Sequence, residues 1–188
     1  MEKKVKGIIL MADGVEECEA LITADILARS GIEVELVSIK KCHQVHSSHG
    51  VTIKTKTNYL ELGDGYLNYD FLVLPGGKLG VDNLAKSKYV SKLVDYFSSE
   101  PSKLMCAICA APSILSSRGY LKGVNYVCFP GFQGESGTWN DVGSIVDGKF
   151  ITGRSMAYSI EFASNIVTYY LGKGGLDAAY AGIYGTNN

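Results

Sequence analysis

Short apolar runs alternate with amphipathic segments along most of this chain, and this alternation restricts the fold more than any other sequence feature. The apolar runs predict buried strands at 5–11, 33–39, 69–74, 103–108, 124–129 and 149–152. Helical spacing predicts helices over 13–31, 88–99, a segment opening at 112, 155–171 and 176–183. Asp13, with Glu16 three residues later, fits a capping-box start for the first of them, and Ser155 is the predicted N-cap of the helix over 155–171. Strands that alternate with helices over short connections predict one α/β domain, with a mostly parallel, doubly wound sheet and helices on both faces.

Charge and composition narrow the classes of partner. The 188 residues carry 18 Lys and Arg against 19 Asp and Glu, so no basic surface for nucleic acid is expected. The apolar stretch at 8–12 is too short for a signal peptide or a membrane span, which predicts a cytoplasmic protein without membrane contact. An odd number of cysteines, five, favours reduced thiols over a disulfide framework.

One predicted strand-to-helix junction carries a cysteine at the position that a catalytic nucleophile occupies in hydrolase elbows. The predicted strand 103–108 runs without a turn residue into Cys109-Ala110-Ala111-Pro112. Small residues around a nucleophile suit the sharp strand-to-helix turn of hydrolase elbows. The following helix N-terminus favours the reactive thiolate form. We interpret Cys109 as a catalytic nucleophile; the alternative is an inert buried cysteine.

A carboxylate and two backbone groups are expected near that thiol. Glu19 falls on the helical face that otherwise bears Val15, Ile22 and Ile26, so it points toward the interior. An ionised Glu19 would raise the pKa of a neighbouring thiol, whereas a protonated one would donate a hydrogen bond to the thiolate. The N–H groups of Gly77 and Ala110 would stabilise an oxyanion. A structural acid and an ordinary tight turn are the alternatives.

Three other motifs carry less weight, and no cofactor or metal is expected. Cys106 lies inside a predicted strand, whereas thioredoxin-type Cys-x-x-Cys pairs open a helix. The glycines at 76, 77 and 80 lack the spacing of dinucleotide and phosphate loops. The run at 42–49 contains one cysteine and three histidines, but an extended segment turns residues three apart to opposite faces, which favours a solvated edge over a metal site.

Three ordered motifs carry a resemblance to a known family. They are GVEECEA at 14–20, VLPGG at 73–77 and AICAAP at 107–112. With them the chain resembles, over nearly its whole length, the DJ-1/ThiJ/PfpI superfamily, and in particular the branch of the parkinsonism-associated protein and its bacterial relatives. The resemblance implies a flavodoxin-like fold and a homodimer. It also implies Cys109 as oxidisable nucleophile, Glu19 as its partner carboxylate, and Gly77 and Ala110 as backbone donors.

Three positions depart from the family pattern and bear on the expected activity and dimer contacts. Ala110 stands where the protease-like branch has a histidine, and Phe129 precedes Pro130 where the close branch commonly has one. His49 replaces a frequent arginine, so an interface contact there would depend on pH. Without a histidine base, a peptidase or amidase is the least supported function.

Two functions remain open. The resemblance implies a cofactor-independent glyoxalase or deglycase that acts on methylglyoxal-like dicarbonyls or on early glycation adducts, in defence against carbonyl and oxidative stress. Such chemistry needs one nucleophile and one acid–base group. The alternative is a redox sensor or chaperone without catalysis, in which Cys109 is oxidised to a sulfinate.

Overall fold

Eleven strands and six helices make up the part of the chain that the computed structural model describes, residues 4–186. The strands are β1 (Lys6–Met11), β2 (Glu33–Ser38), β3 (Gln44–His46), β4 (Thr52–Lys54), β5 (Thr57–Asn58), β6 (Phe71–Leu74), β7 (Leu104–Ile108), β8 (Asn125–Tyr126), β9 (Thr138–Trp139), β10 (Ser144–Asp147) and β11 (Phe150–Gly153). The helices are α1 (Glu17–Arg29), α2 (Tyr59–Leu62), α3 (Lys78–Lys86), α4 (Lys88–Ser99), α5 (Pro112–Ser117) and α6 (Ser159–Tyr184). None of these helices is long and apolar enough to cross a membrane.

A seven-stranded sheet organises the molecule, in the order β10-β11-β7-β6-β1-β2-β5. Every neighbouring pair is parallel except β10 with β11. The chain winds outward in both directions from β1 and β6, which places the topological switch point between these strands. The predicted doubly wound, mostly parallel sheet is therefore confirmed.

Two apolar clusters cover the sheet, one on each face. Side chains of α1 and α6 pack on one face, and those of α3, α4 and α5 pack on the other. Strands covered on both sides can be apolar throughout, and residues 8–11 of β1 are all fully buried. This double cover explains why the central strands read as unbroken apolar runs.

Some predicted helix boundaries are wrong. Glu16, not Asp13, is the N-cap of α1, and its carboxylate accepts a hydrogen bond from the Glu19 N–H at 2.6 Å. Asp13 instead accepts the His46 N–H at 2.9 Å and pairs with Lys40 Nζ at 2.7 Å. Ser155 does not cap α6, because a 3-10 turn over Met156–Tyr158 intervenes before the helix begins at Ser159.

Other elements differ in extent. Helix α3 was not predicted, and the predicted strand at 124–129 is regular only over Asn125–Tyr126. The two helices predicted at the C-terminal end form one element, interrupted at Gly172, whose φ of 63° and ψ of −166° are not helical. The gap that the sequence predicted between them is therefore a kink.

Candidate active site

Cys109 sits on a strained turn directly after β7. It has φ of 63° and is the one residue other than glycine with positive φ within residues 4–186. This conformation costs about 1–3 kcal/mol and persists only where neighbouring structure holds it. Here the Cys109 N–H donates to the Gly153 carbonyl at 2.9 Å, and the Cys109 carbonyl accepts the Phe129 N–H at 2.8 Å. The half-buried thiol is thereby held at the carboxyl edge of the sheet.

Glu19 brings a carboxyl group to the same edge from the first turn of α1. Its side chain is 1% exposed. One oxygen, Oε2, accepts the Gly76 N–H at 2.8 Å. The other, Oε1, is buried and has no hydrogen-bond partner within residues 4–186. A buried carboxyl with one unsatisfied oxygen favours the protonated form.

The thiol and the carboxyl perturb each other electrostatically. Burial raises the pKa of Glu19 to about 7, against the opposing effects of Cys109 and the Gly76 N–H. Burial and the adjacent Glu19 carboxylate raise the pKa of Cys109, while the N–H groups of Gly77 and Ala110 lower it. Near neutral pH, Glu19 therefore exchanges a proton easily, and Cys109 keeps its own while Glu19 is ionised.

The turn after β6 has room only for glycine. A Cβ on Gly76 would lie 2.5 Å from Cys109 Cβ and 2.5 Å from Glu19 Oε2. Gly77 has φ of 85°, and a Cβ there would lie 2.2 Å from the Gly14 carbonyl oxygen. The absence of side chains allows this backbone to pass directly against the thiol and the carboxyl.

The structure thus brings together all four residues that the sequence nominated. Cys109, Glu19, Gly77 and Ala110 come from three segments that meet at the carboxyl ends of β1, β6 and β7. Ligands of doubly wound sheets bind at this edge, next to the switch point. The chemical roles of these residues stay predictions.

The motifs that carried less weight lie elsewhere. Cys106 is fully buried in β7, and burial raises its pKa, so the Cys-x-x-Cys segment does not present two accessible thiols. His43 contacts Glu61, and His46 contacts Thr52. His49 contacts Glu17, at 3.0 Å. The histidines around the β3–β4 hairpin thus have separate partners, and no histidine within residues 4–186 is hydrogen-bonded to the thiol.

Phe129 stood out in the sequence only as a departure from the family pattern, and the aromatic turn that it begins beside the Cys109 backbone was missed. Phe129, Pro130, Gly131 and Phe132 form a β-turn closed by a hydrogen bond from the Phe132 N–H to the Phe129 carbonyl at 3.0 Å. Gly131 has φ of 94°, so proline and glycine occupy the positions that a type II turn requires. The Pro-Gly dipeptide was a signal for this turn, but the predicted strand ending at 129 obscured it.

Comparison with known sequences gives the family. The profile of the DJ-1/PfpI family matches residues 4–169. The Drosophila melanogaster protein dj-1beta is 31% identical over 171 residues, which are 89% of this chain and 90% of that protein. A Pyrococcus abyssi protein named as a deglycase is 30% identical over 154 residues, 80% of this chain and 90% of that protein. The similarity extends over 89% of this chain but only 39% of an Arabidopsis thaliana relative, DJ-1 homolog B.

Solved structures agree with that assignment. A cysteine-to-alanine mutant of a DJ-1 superfamily protein from Salmonella typhimurium is 31% identical, with a TM-score of 0.89 over 96% of this chain and 98% of that one. Oxidised Toxoplasma gondii DJ-1 is 27% identical, with a TM-score of 0.87 over 96% of this chain and 98% of that one.

Proposed function

The chain belongs to the DJ-1/PfpI family, and from this membership and the site geometry we propose that it is a cofactor-independent, cysteine-dependent enzyme for reactive dicarbonyls. Its substrates would be methylglyoxal-like 2-oxoaldehydes or the early adducts that these form on proteins. The observation that carries the proposal is the strained Cys109 held against the buried Glu19 carboxyl. The deglycase name of the Pyrococcus relative supports the same class of chemistry.

In the first step Cys109 would add to the aldehyde carbon. Glu19, as carboxylate, takes the thiol proton while sulfur forms a bond to that carbon, and then passes the proton to the aldehyde oxygen, which gives a hemithioacetal. The N–H groups of Gly77 and Ala110 face the sulfur and would stabilise negative charge that develops beside it. A pKa of about 7 suits Glu19 to accept and return a proton at neutral pH.

Glu19 would then move a second proton between carbons. It removes the hydrogen from the carbon bonded to sulfur, and the electron pair forms a C=C bond as the neighbouring ketone becomes an enediolate. The negative oxygen of the enediolate takes the proton of the adjacent hydroxyl group. Return of the proton to the second carbon gives a thioester of a 2-hydroxy acid. Water hydrolyses the thioester and frees Cys109, so methylglyoxal and one water give lactate without an external oxidant or reductant.

Lactate formation is the decisive measurement. Purified protein would be incubated with methylglyoxal, without glutathione or added metal, beside the Cys109→Ser variant. Disappearance of methylglyoxal does not suffice, because any thiol or amine consumes it reversibly. Catalytic lactate from the parent and none from the variant is the expected result, and equal lactate from both contradicts the proposal.

Redox sensing through Cys109 is the second candidate function. Glu19 in its protonated form would donate a hydrogen bond to a sulfinate oxygen, and the half-buried thiol admits a small oxidant such as peroxide. The oxidised form of the Toxoplasma relative favours this alternative. Stoichiometric sulfinate at Cys109 after peroxide treatment, with no lactate from the untreated protein, would select it.

Assembly and location complete the proposal. We propose a homodimer in the cytoplasm, with no nucleic-acid or membrane partner. All five cysteines are unpaired in the structure, which suits a reducing compartment. Sedimentation equilibrium tests the assembly, and a mass of one chain at micromolar concentration would contradict it.

A further inference from the structure

The aromatic turn at 129–132 is tied to the nucleophile itself. The Phe129 N–H donates to the Cys109 carbonyl at 2.8 Å, so the turn starts where the strained residue ends. The two phenyl rings stand 6.3 Å apart at 75°, an edge-to-face arrangement. Phe132 is half-buried against the cluster that also contacts Cys109, while Phe129 is 44% exposed. The turn thus carries one anchored ring and one exposed ring, and its backbone is hydrogen-bonded to that of Cys109.

Other segments flank the same edge of the sheet, and one of them, α1, brings the Glu19 carboxyl to the thiol. On the β6 side the backbone bears no side chains at Gly76 and Gly77, and the exposed side chains of Lys78 and Leu79 follow them. On the β11 side, Arg154 is paired with Asp141, and the next exposed apolar side chain is Met156. The exposed aromatic carbon of Phe129 is itself suited to bind an apolar substituent rather than a charged one.

From this geometry we infer that the turn formed by residues 129–132 is an aromatic subsite, with Phe129 as its specificity-determining side chain. It would take the substituent of an aryl-substituted 2-oxoaldehyde, whose aldehyde carbon meets Cys109. The inference rests on the proposed dicarbonyl activity for its substrate class. An aryl substituent that packs on Phe129 should gain about threefold to tenfold in rate over a methyl group, as expected for one aromatic pair.

Alkylation of the thiol tests the subsite without any turnover. Iodoacetamide and its N-phenyl derivative react alike: sulfur bonds to the methylene carbon, iodide leaves, and the thiol proton passes to solvent. Peptide mass spectrometry would follow Cys109 alone, because Cys42 is exposed and also reacts. The rate ratio of phenyl reagent to parent reagent, divided by the same ratio for free cysteine, measures aromatic preference.

Variants of Phe129 test whether its side chain is the source of the aromatic preference. Phe129→Ala should lower the ratio about threefold to tenfold, and Phe129→Leu, which keeps apolar bulk, should lower it less. Leu60→Ala, which truncates an exposed side chain on α2, should leave the ratio unchanged. Both Phe129 variants keep the backbone N–H that anchors Cys109. An unchanged ratio in Phe129→Ala would overturn the inference.

Turnover separates this inference from the proposed function. The parent should form mandelate from phenylglyoxal with a higher kcat/KM than lactate from methylglyoxal, and Phe129→Ala should remove most of that difference. No product from either substrate, with a phenyl preference that still falls in Phe129→Ala, would refute the enzyme and retain the subsite. Lactate formation by the parent, together with the same alkylation ratio in the parent and in Phe129→Ala, would refute the subsite and retain the enzyme.

Discussion

Replacing Glu19 with glutamine should make the protein more stable at alkaline pH, although the residue lies in the candidate active site. Glutamine has nearly the same shape, and its side-chain oxygen can accept the Gly76 N–H that Glu19 Oε2 accepts at 2.8 Å. Glutamine does not ionise, so the variant has no charge to bury at any pH. The parent must bury a carboxylate once the pH passes the pKa of the folded side chain.

The size of the effect follows from one pKa shift. Burial raises the pKa of Glu19 from 4.5 to about 7. A raised acid pKa contributes stability that is complete below pH 4.5 and is lost as the pH rises through 7. Integrating proton binding from pH 5 to pH 8, the free energy of unfolding of the parent should fall by about 2.5 kcal/mol relative to the variant.

Urea unfolding at pH 5, 6, 7 and 8 would measure this difference. Far-ultraviolet circular dichroism and the fluorescence of Trp139, the only tryptophan, give two probes of one transition. Glu135→Gln is the matched control, because Glu135 is exposed in the segment between the aromatic turn and β9. That control should reproduce the pH dependence of the parent.

A parallel pH dependence in parent and Glu19→Gln would refute the reasoning. It would mean that Glu19 titrates alike in the folded and unfolded chain, so that burial does not hold its proton. The steps assigned to Glu19 near neutral pH would then lack their acid–base group.

Further changes around the thiol give three more predictions. Cys106→Ser should retain the rate of lactate formation within about threefold. Its free energy of unfolding in urea should fall by about 1–3 kcal/mol, because a fully buried hydroxyl replaces a thiol. Loss of lactate formation as complete as in Cys109→Ser would restore the Cys-x-x-Cys interpretation. Gly76→Ala should lower kcat at least about tenfold by forcing Cys109 and Glu19 apart, whereas Gly174→Ala, with open space around it, should not; equal kcat values would contradict the close packing. The free energy of unfolding of Cys109→Gly, measured in urea, should be about 1 kcal/mol higher than that of Cys109→Ala, because glycine tolerates the positive φ. A lower value for the glycine variant would argue against backbone strain.

Much of the sheet could be predicted because its strands are covered on both faces. Continuous apolar runs such as β1 and β7 signal that environment directly. Helix α3 gave no such signal, since its KLGVDNLAK segment contains a glycine and its N-cap, Gly77, offers no side chain. Its position depends instead on the close approach of Gly77 and Gly80 to the 14–16 backbone, a tertiary contact that local pattern does not encode.

The candidate site, like the fold, could be predicted from the sequence only in part. Glu19 could be nominated because a carboxylate on an apolar helix face departs from the period, and Cys109 because small residues surround it. The positive φ of Cys109 is held by hydrogen bonds to Gly153 and Phe129, and the unpartnered Oε1 of Glu19 results from burial in the folded chain, so the sequence could not supply either feature. Asp13 shows the limit of local rules, since it fits a cap motif yet binds Lys40 and the β3–β4 hairpin.

The strand order has a consequence for the newly made chain. Strands β1 and β7 do not touch, because β6 lies between them, and Glu19 follows β1 while Cys109 follows β7. The pair forms only after β6 has joined both neighbours, contacts that span long stretches of chain and close late. Until then Cys109 behaves as an ordinary cysteine, so the kinetics of its alkylation during refolding would time the completion of the central sheet.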